Sequence, residues 1–255
     1  MSSKTSELLN LLTDARHDRA PISQLPHDLV PDSIEKAYAV QDAVAERETS
    51  YGWKVGFPRN GDERRCAPLV GQGLYTAPCV LSAAALGADS VEVEIAVVLG
   101  ADLPPRAKPY TSSTVEASIG SLRLAYELVG SRFVDRMSIA PLTAIADCQS
   151  NAATVLGAPV KQWQAIDISR LAIGLMVDGD EIAACKGGPS KADLLEQLAW
   201  LANHAAARHR PLKEGDVIIT GARIGPLPLP AKGLMKAVAN GYPTLELTLT
   251  ADQPF

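Results

Sequence analysis

A chain of 255 residues, 47% hydrophobic and 21% charged, is long enough to bury a substantial core as one large domain and has an ordinary globular composition. Its formal net charge of −5 excludes the basic footprint of a nucleic-acid or anionic-membrane binder, and no apolar run approaches the ~20 residues of a membrane helix. The four cysteines, Cys66, Cys79, Cys148 and Cys185, form no CxxC pair and adjoin no histidine at metal-ligand spacing, so they read as free thiols in a reducing compartment.

The stretch MSSKTSELLNLLTDARHDRA lacks the unbroken apolar core of a signal peptide, and the expected compartment is the cytosol. Within it Leu8, Leu9, Leu11 and Leu12 set a helical stripe, with Ser6 as the expected N-cap. Pro21 to Pro31 reads as loop. Ile34, Ala37, Tyr38, Val40 and Val44 then form the apolar face of a second helix, capped by Asp32 or Ser33. GWKVGFPRNGDERRCAPLVGQG, rich in Gly, Pro and charge, predicts a short strand plus loop.

From Val80 the pattern turns to strands. VEVEIAVVLG (91–100) is followed by a Pro-rich loop, and TVEASIGSLRL predicts a helix capped by Ser112 or Ser113 and running into AYELVGSRF. LTAIADCQSNAATVLGAPV reads as irregular. Asp178-Gly179, between LAIGLMV and EIAAC, is a two-residue hairpin turn. SKADLLEQLAWLANHAAARH is the clearest helix, with Ser190 and Asp193 as a capping box and Leu194, Leu198, Leu201 and Ala205 as the buried stripe. LKEGDVIITG, with its Glu214-Gly215 turn, and TLELTLT, alternating at Leu245, Leu247 and Leu249, close the chain as strands. Helices first, then hairpin-linked strands around one long helix, predict an α+β fold with a largely antiparallel or mixed sheet. The absence of GxGxxG and of GxxxxGKS/T removes the dinucleotide and P-loop readings.

Within VEVEIAVVLG, Glu92 and Glu94 point to one face of the strand, ~7 Å apart, while Val91, Val93 and Ile95 point to the other. Two like charges so placed are either a solvated face or a site with a cation between them. Glu127 joins them as a third carboxylate among apolar Tyr126, Leu128 and Val129, a costly place for an unpaired charge. Three oxygen ligands without His or Cys suit a hard divalent ion, Mg²⁺ or Mn²⁺. The alternative is two surface glutamates, with Glu127 paired to Arg132 or Arg123. Lys54, between Trp53 and Val55 with a glycine on either side, reads as a surface lysine at a strand end or as a partly desolvated one. Desolvation would lower its pKa toward proton-transfer range. In ITGARIG, Thr220 ends a strand beside a glycine turn whose backbone N–H groups can face an anion.

AYAVQDAV, GWKVG, VEVEIAVVLGADLP, AYELVGSRF, IADCQSNAATVLG, LAWLANH and LKEGDVIITG follow one another in an order that resembles the 2-oxopent-4-enoate hydratase / 4-oxalocrotonate decarboxylase family of the fumarylacetoacetate hydrolase superfamily. The likeness runs from about Leu8 to Thr250, and its most specific part is the ExE strand followed by a third Glu before VGSR. The resemblance implies a mixed β-sandwich roll of the fumarylacetoacetate hydrolase C-terminal-domain type (81–255), with a smaller helical N-terminal portion (1–80) packed on it as one structural unit. It implies Mg²⁺ or Mn²⁺ held by Glu92, Glu94 and Glu127, and Lys54 as a proton-transfer or substrate-orienting group. The implied activity is metal-dependent hydration of 2-hydroxypenta-2,4-dienoate in meta-cleavage aromatic catabolism. The alternative is decarboxylation of 2-oxohex-3-enedioate. Less favoured are a C–C hydrolase of acylpyruvate type, whose His-Glu base has no histidine near the ExE strand, and a non-catalytic partner subunit. The implied assembly is a homo-oligomer, also able to complex with a pathway enzyme.

The remaining site residues are expectations of the same kind. Arg132 neutralises a substrate carboxylate or braces Glu127, with bracing favoured. Asp147 shapes the pocket floor, and Gln149 or Ser150 donates to substrate. Arg223 is a solvated loop residue or reads a second carboxylate. One departure stands out: family members often carry an acidic residue in an EPxxG-like segment, and RCAPLVGQGL has none between Pro68 and Gly71.

Overall fold

A computed structural model describes residues 3–58 and 63–251, so the part of the expected loop at 59–62 lies outside the described residues. The chain runs α1 (Ser3–Asp18), α2 (Ile34–Arg47), β1 (Ser50–Val55), β2 (Cys66–Val70), β3 (Leu74–Thr76), β4 (Cys79–Ser82), α3 (Ala83–Leu86), β5 (Ser90–Leu99) and α4 (Ser112–Glu116). It continues through β6 (Ile119–Val129), α5 (Pro141–Ala146), β7 (Asn151–Leu156), β8 (Ala172–Val177), β9 (Asp180–Lys186), α6 (Lys191–Ala207), β10 (Val217–Pro228), β11 (Gly233–Ala239) and β12 (Leu245–Thr250).

Two mixed sheets result, as the α+β expectation required. A seven-stranded sheet has the order β2-β1-β10-β5-β6-β7-β3 and a five-stranded sheet the order β4-β12-β11-β8-β9. Parallel pairs occur at β1–β10, β3–β7 and β4–β12. The sheets share one core, in which Leu124 and Tyr126 of the first join Met235, Leu245 and Leu247 of the second. Leu245, Leu247 and Leu249 are all buried, which is the alternation of a strand with one face inward. Among the described residues no helix is long and apolar enough to cross a membrane.

Local signals account for several elements. Ser33 accepts the Lys36 N–H and caps α2, and Ser190 and Asp193 form the reciprocal capping box of α6. Asp178 and Gly179, both with positive φ, turn β8 into β9. The four cysteines are free.

Four expectations need correction. Helix α1 already begins by Ser3, so Ser6 lies inside it and does not cap it. TVEASIGSLRL is not a helix: α4 is a single turn capped by Thr111, and the segment from Ile119 is an eleven-residue strand. Its leucines fit either period, and pairing with β5 on one side and β7 on the other decides for strand. The region read as irregular contains α5 and the regular strand β7. Finally, β10 does not end at Thr220. It continues to Pro228 through register shifts on either side of Ala222 and Ile224, with Gly221 at φ 106° and Gly225 at φ 103° absorbing the bulges.

Candidate metal centre and catalytic cavity

The register of β5 on β6 places Glu92 directly opposite Glu127, with Glu94 opposite Ala125 and one step along the same face. The three side chains bring carboxylate oxygens within 4.8 Å of one another. Glu94 and Glu127 are 1% and 0% exposed and Glu92 is half-buried, which is incompatible with a solvated acidic face. Burial, then the charges of Glu127 and Glu92, push the Glu94 carboxyl well above its ordinary pKa. The Gly221 N–H, donating to Glu94 Oε2 at 2.6 Å, and Lys54 pull the other way. Burial and Glu127 likewise raise Glu92, against Lys54 and Arg136.

Lys54 reaches this face from β1, two strands away in the sheet. Its strand is seated by Gly52, where a Cβ would lie 1.9 Å from the Val217 carbonyl oxygen, so β1 approaches β10 closely only because no side chain is there. Lys54 Nζ donates to Glu127 Oε1 at 2.5 Å and to the Gln149 carbonyl at 3.1 Å. Burial pulls its pKa down, but Glu127, Glu92 and Glu94 together outweigh that and leave it raised. The lowered value expected from desolvation alone is therefore corrected by the three carboxylates. Asn151 Nδ2 donates to the same Glu127 oxygen at 2.9 Å, while Glu127 Oε2 is buried without a partner.

Lys54 and Glu92 open into a cavity of ≈400 Å³ whose walls are Val129, Pro141, Ala144 and Ile145, with Gln149 and Ser150 alongside. Cys148, Gln149 and Ser150 all hold positive φ (49°, 52° and 59°), a strained turn that carries the Gln149 carbonyl to Lys54. Two arginines that the sequence did not mark, Arg65 and Arg136, line the same cavity. Asn151 was equally unmarked, and nothing but its place at the start of β7 signals it.

The other expected site residues lie outside this cavity lining. Arg132 does not touch Glu127. It is buried and pairs with Asp147, Nε to Oδ1 at 2.6 Å and Nη2 to Oδ2 at 3.2 Å, and it donates from Nη1 to the Asn151 carbonyl at 3.0 Å. Its support of Glu127 therefore passes through Asn151. Asp147 is 1% exposed and also accepts from Ser131 Oγ and the Arg132 N–H. The Thr220 hydroxyl is buried and donates to the Ile95 carbonyl at 2.7 Å, and the glycine after it presents its N–H to Glu94 rather than to a free anion. Arg223 is half-buried and outside the cavity lining, and it donates to the Gly187 and Pro189 carbonyls, each at 3.2 Å.

The donor set suits a divalent cation. Three hard oxygen groups converge, their mutual repulsion is only partly offset by Lys54, and one buried carboxylate oxygen has no hydrogen-bond partner. Among the described residues no other group of three His, Cys, Asp or Glu side chains has this arrangement.

Comparison with known proteins places the chain among relatives of one family and fold. The family model of the fumarylacetoacetate (FAA) hydrolase C-terminal region matches residues 76–247. A 2-keto-4-pentenoate hydratase of Burkholderia vietnamiensis is 34% identical over 166 residues, which is 63% of this chain and 60% of that protein's length. A 2-keto-4-pentenoate hydratase of Paraburkholderia xenovorans is 29% identical over 239 residues, 87% of this chain and 85% of its own. Among solved structures, 4-oxalocrotonate decarboxylase from Pseudomonas putida G7, complexed with magnesium and adipate, superposes with a TM-score of 0.83 at 20% identity over 96% of this chain and 98% of that one.

Proposed function

The chain belongs to the fumarylacetoacetate hydrolase family, and on that footing we propose that it is a metal-dependent hydro-lyase adding water to 2-hydroxypenta-2,4-dienoate, or a close analogue, to give a 4-hydroxy-2-oxo acid. The observation that carries this reading is the buried triad of Glu92, Glu94 and Glu127, with an unpartnered Glu127 oxygen, at a cavity that Lys54 shares. Those three residues would hold Mg²⁺ or Mn²⁺, which when bound supplies Lewis-acid stabilisation of the negative charge that develops on a 2-oxo acid.

The chain's own groups supply the rest. Hydration moves a proton on and off substrate carbon, and Lys54 Nζ, fixed by Glu127 and the Gln149 carbonyl, is the titratable group placed for it. Glu127, Glu92 and Glu94 hold the Lys54 ammonium above its ordinary pKa against the pull of burial, so Lys54 enters the reaction carrying the proton to be delivered. Val129, Pro141, Ala144 and Ile145 cover the hydrocarbon of a short dienoate and keep bulk water from it, while Gln149 and Ser150 offer polar groups along its length. Among the described residues no histidine lines the cavity, so the His-Glu base of the C–C hydrolase branch has no counterpart here.

One observation favours a second reading. Arg65 and Arg136 line the same cavity, and guanidinium groups at its wall suit a second carboxylate, as in decarboxylation of 2-oxohex-3-enedioate. The deciding experiment gives Mg²⁺-loaded protein each substrate, follows loss of its ultraviolet absorbance, and identifies products by NMR and CO₂ release. Turnover of the dienoate to 4-hydroxy-2-oxopentanoate, at a kcat/KM above that for the enedioate, supports the hydratase. CO₂ from the enedioate with an inert dienoate replaces it with the decarboxylase.

A further inference from the structure

A second cavity, ≈660 Å³, lies at the C-terminal end of α1 and shares no lining residue with the catalytic one. Its charged lining is Arg16, His17, Arg19, Glu48, Asp89 and Arg132. Most of these have partners. His17 Nε2 meets Glu48 Oε1 at 2.7 Å, Asp89 meets Arg136 at 3.6 Å, and Arg132 is held by Asp147. Arg16 is different. It is half-buried, and among the described residues no carboxylate lies within ion-pair distance of it and no group accepts a hydrogen bond from it. Burial, with a further push from the charge of Arg132, pulls its pKa below the ordinary arginine value.

The Arg16 guanidinium is partly out of water, with no nitrogen among the buried atoms that lack a partner, and it keeps its N–H donors free at the cavity it lines. Here the space beside it is a cavity of ligand size, and Leu86, Phe133 and Val134 give the same cavity apolar surface. A planar fork of N–H donors beside apolar wall matches a carboxylate on a small carbon skeleton better than it matches a metal ion or a neutral ring. We infer that this cavity binds a small organic carboxylate anchored by Arg16. The site is two hydrogen bonds from the triad, because Arg132 in its wall holds the Asn151 carbonyl and Asn151 holds Glu127.

The test is calorimetric titration of the full chain, with Mg²⁺ present, using succinate as probe, in the parent protein and in Arg16→Met, Val134→Glu and Glu94→Gln. Val134 is 66% exposed, so Val134→Glu adds a repelling charge to the cavity at little risk to folding and stands in should Arg16→Met fail to fold. The expected result is saturable binding of one equivalent that persists in Glu94→Gln and weakens at least tenfold in both cavity variants. Without ligand, Arg16→Met should melt within about 2 °C of the parent, since it removes a half-buried cation that has no ion-pair partner to strand. Succinate binding abolished in Glu94→Gln but intact in Arg16→Met and Val134→Glu would place it in the catalytic cavity alone and overturn the inference. So would an Arg16→Met protein that melts lower and sediments as a smaller species, because a carboxylate of a second copy would then be what meets Arg16. None of these readouts depends on turnover.

Discussion

Glu94→Gln should stabilise the protein when no divalent cation is bound, although it alters a buried residue at the centre of a sheet. Three carboxylates whose oxygens lie within 4.8 Å repel by about 3 kcal/mol per pair at an effective dielectric of about 20, and Lys54 offsets part of that. At a pH high enough to ionise Glu94, removing that charge while keeping an amide oxygen to accept the Gly221 N–H leaves a net gain of about 2 kcal/mol, or about 4–8 °C in Tm for a chain of this length. The pH dependence follows from the same cause. Glu94 has a folded pKa above its unfolded one, so metal-free folded protein holds a proton that the unfolded chain releases. Its stabilising contribution is complete below the unfolded value and is lost as pH rises through the folded one. Metal-free parent protein should therefore lose Tm from this group as pH rises above the ordinary glutamate range, and Glu94→Gln should lose less. Mg²⁺ at a hundred times its Kd should raise the parent by about 2.7 kcal/mol and the variant by far less. Differential scanning calorimetry with and without chelator measures all of this. A metal-free Glu94→Gln that melts below the parent, or one that gains as much from Mg²⁺, would refute the reasoning.

Three further outcomes are expected. Lys54→Met should lower kcat by about 10²–10⁴ while the Tm increase on adding Mg²⁺ persists, read from paired kinetics and melting curves. Arg132→Met should cost about 3–5 kcal/mol in urea unfolding, because it strands the buried Asp147 carboxylate, and Arg132→Met/Asp147→Leu should recover part of that loss. His204 stacks on Trp200 at 4.7 Å and meets Tyr38 edge-on at 5.0 Å, and burial followed by the charge of Arg208 lowers its pKa. The unfolded chain thus binds that proton first, so stability should fall as pH drops through about 6.5, and His204→Gln should flatten that part of the Tm profile.

What the sequence disclosed was what depends on neighbours along the chain. Glu92 and Glu94 share a face because strand side chains alternate, and the Ser190/Asp193 box and the Asp178-Gly179 turn are equally local. Glu127 was visible as a charge in an apolar run, but its meeting with Glu92 is a matter of register between β5 and β6. Its true cation was not legible. Arg132 is five residues away, yet the chain leaves the sheet after Val129 and turns Arg132 onto Asp147, while Lys54 arrives from 73 residues earlier through the docking of β1 on β10. The same long-range pairing overrode the helical look of TVEASIGSLRL, and the left-handed run Cys148–Ser150 contains no glycine to announce it.

The most direct test of the central claim is turnover of 2-hydroxypenta-2,4-dienoate by metal-stripped protein before and after Mg²⁺ is restored, with NMR identification of the product, in the parent and in Glu127→Gln. The account predicts 4-hydroxy-2-oxopentanoate from the parent only once Mg²⁺ is restored, and at most about a hundredth of that rate from Glu127→Gln, which loses a ligand and the partner of Lys54 together. Product formed without metal, or an undiminished rate in Glu127→Gln, would contradict it.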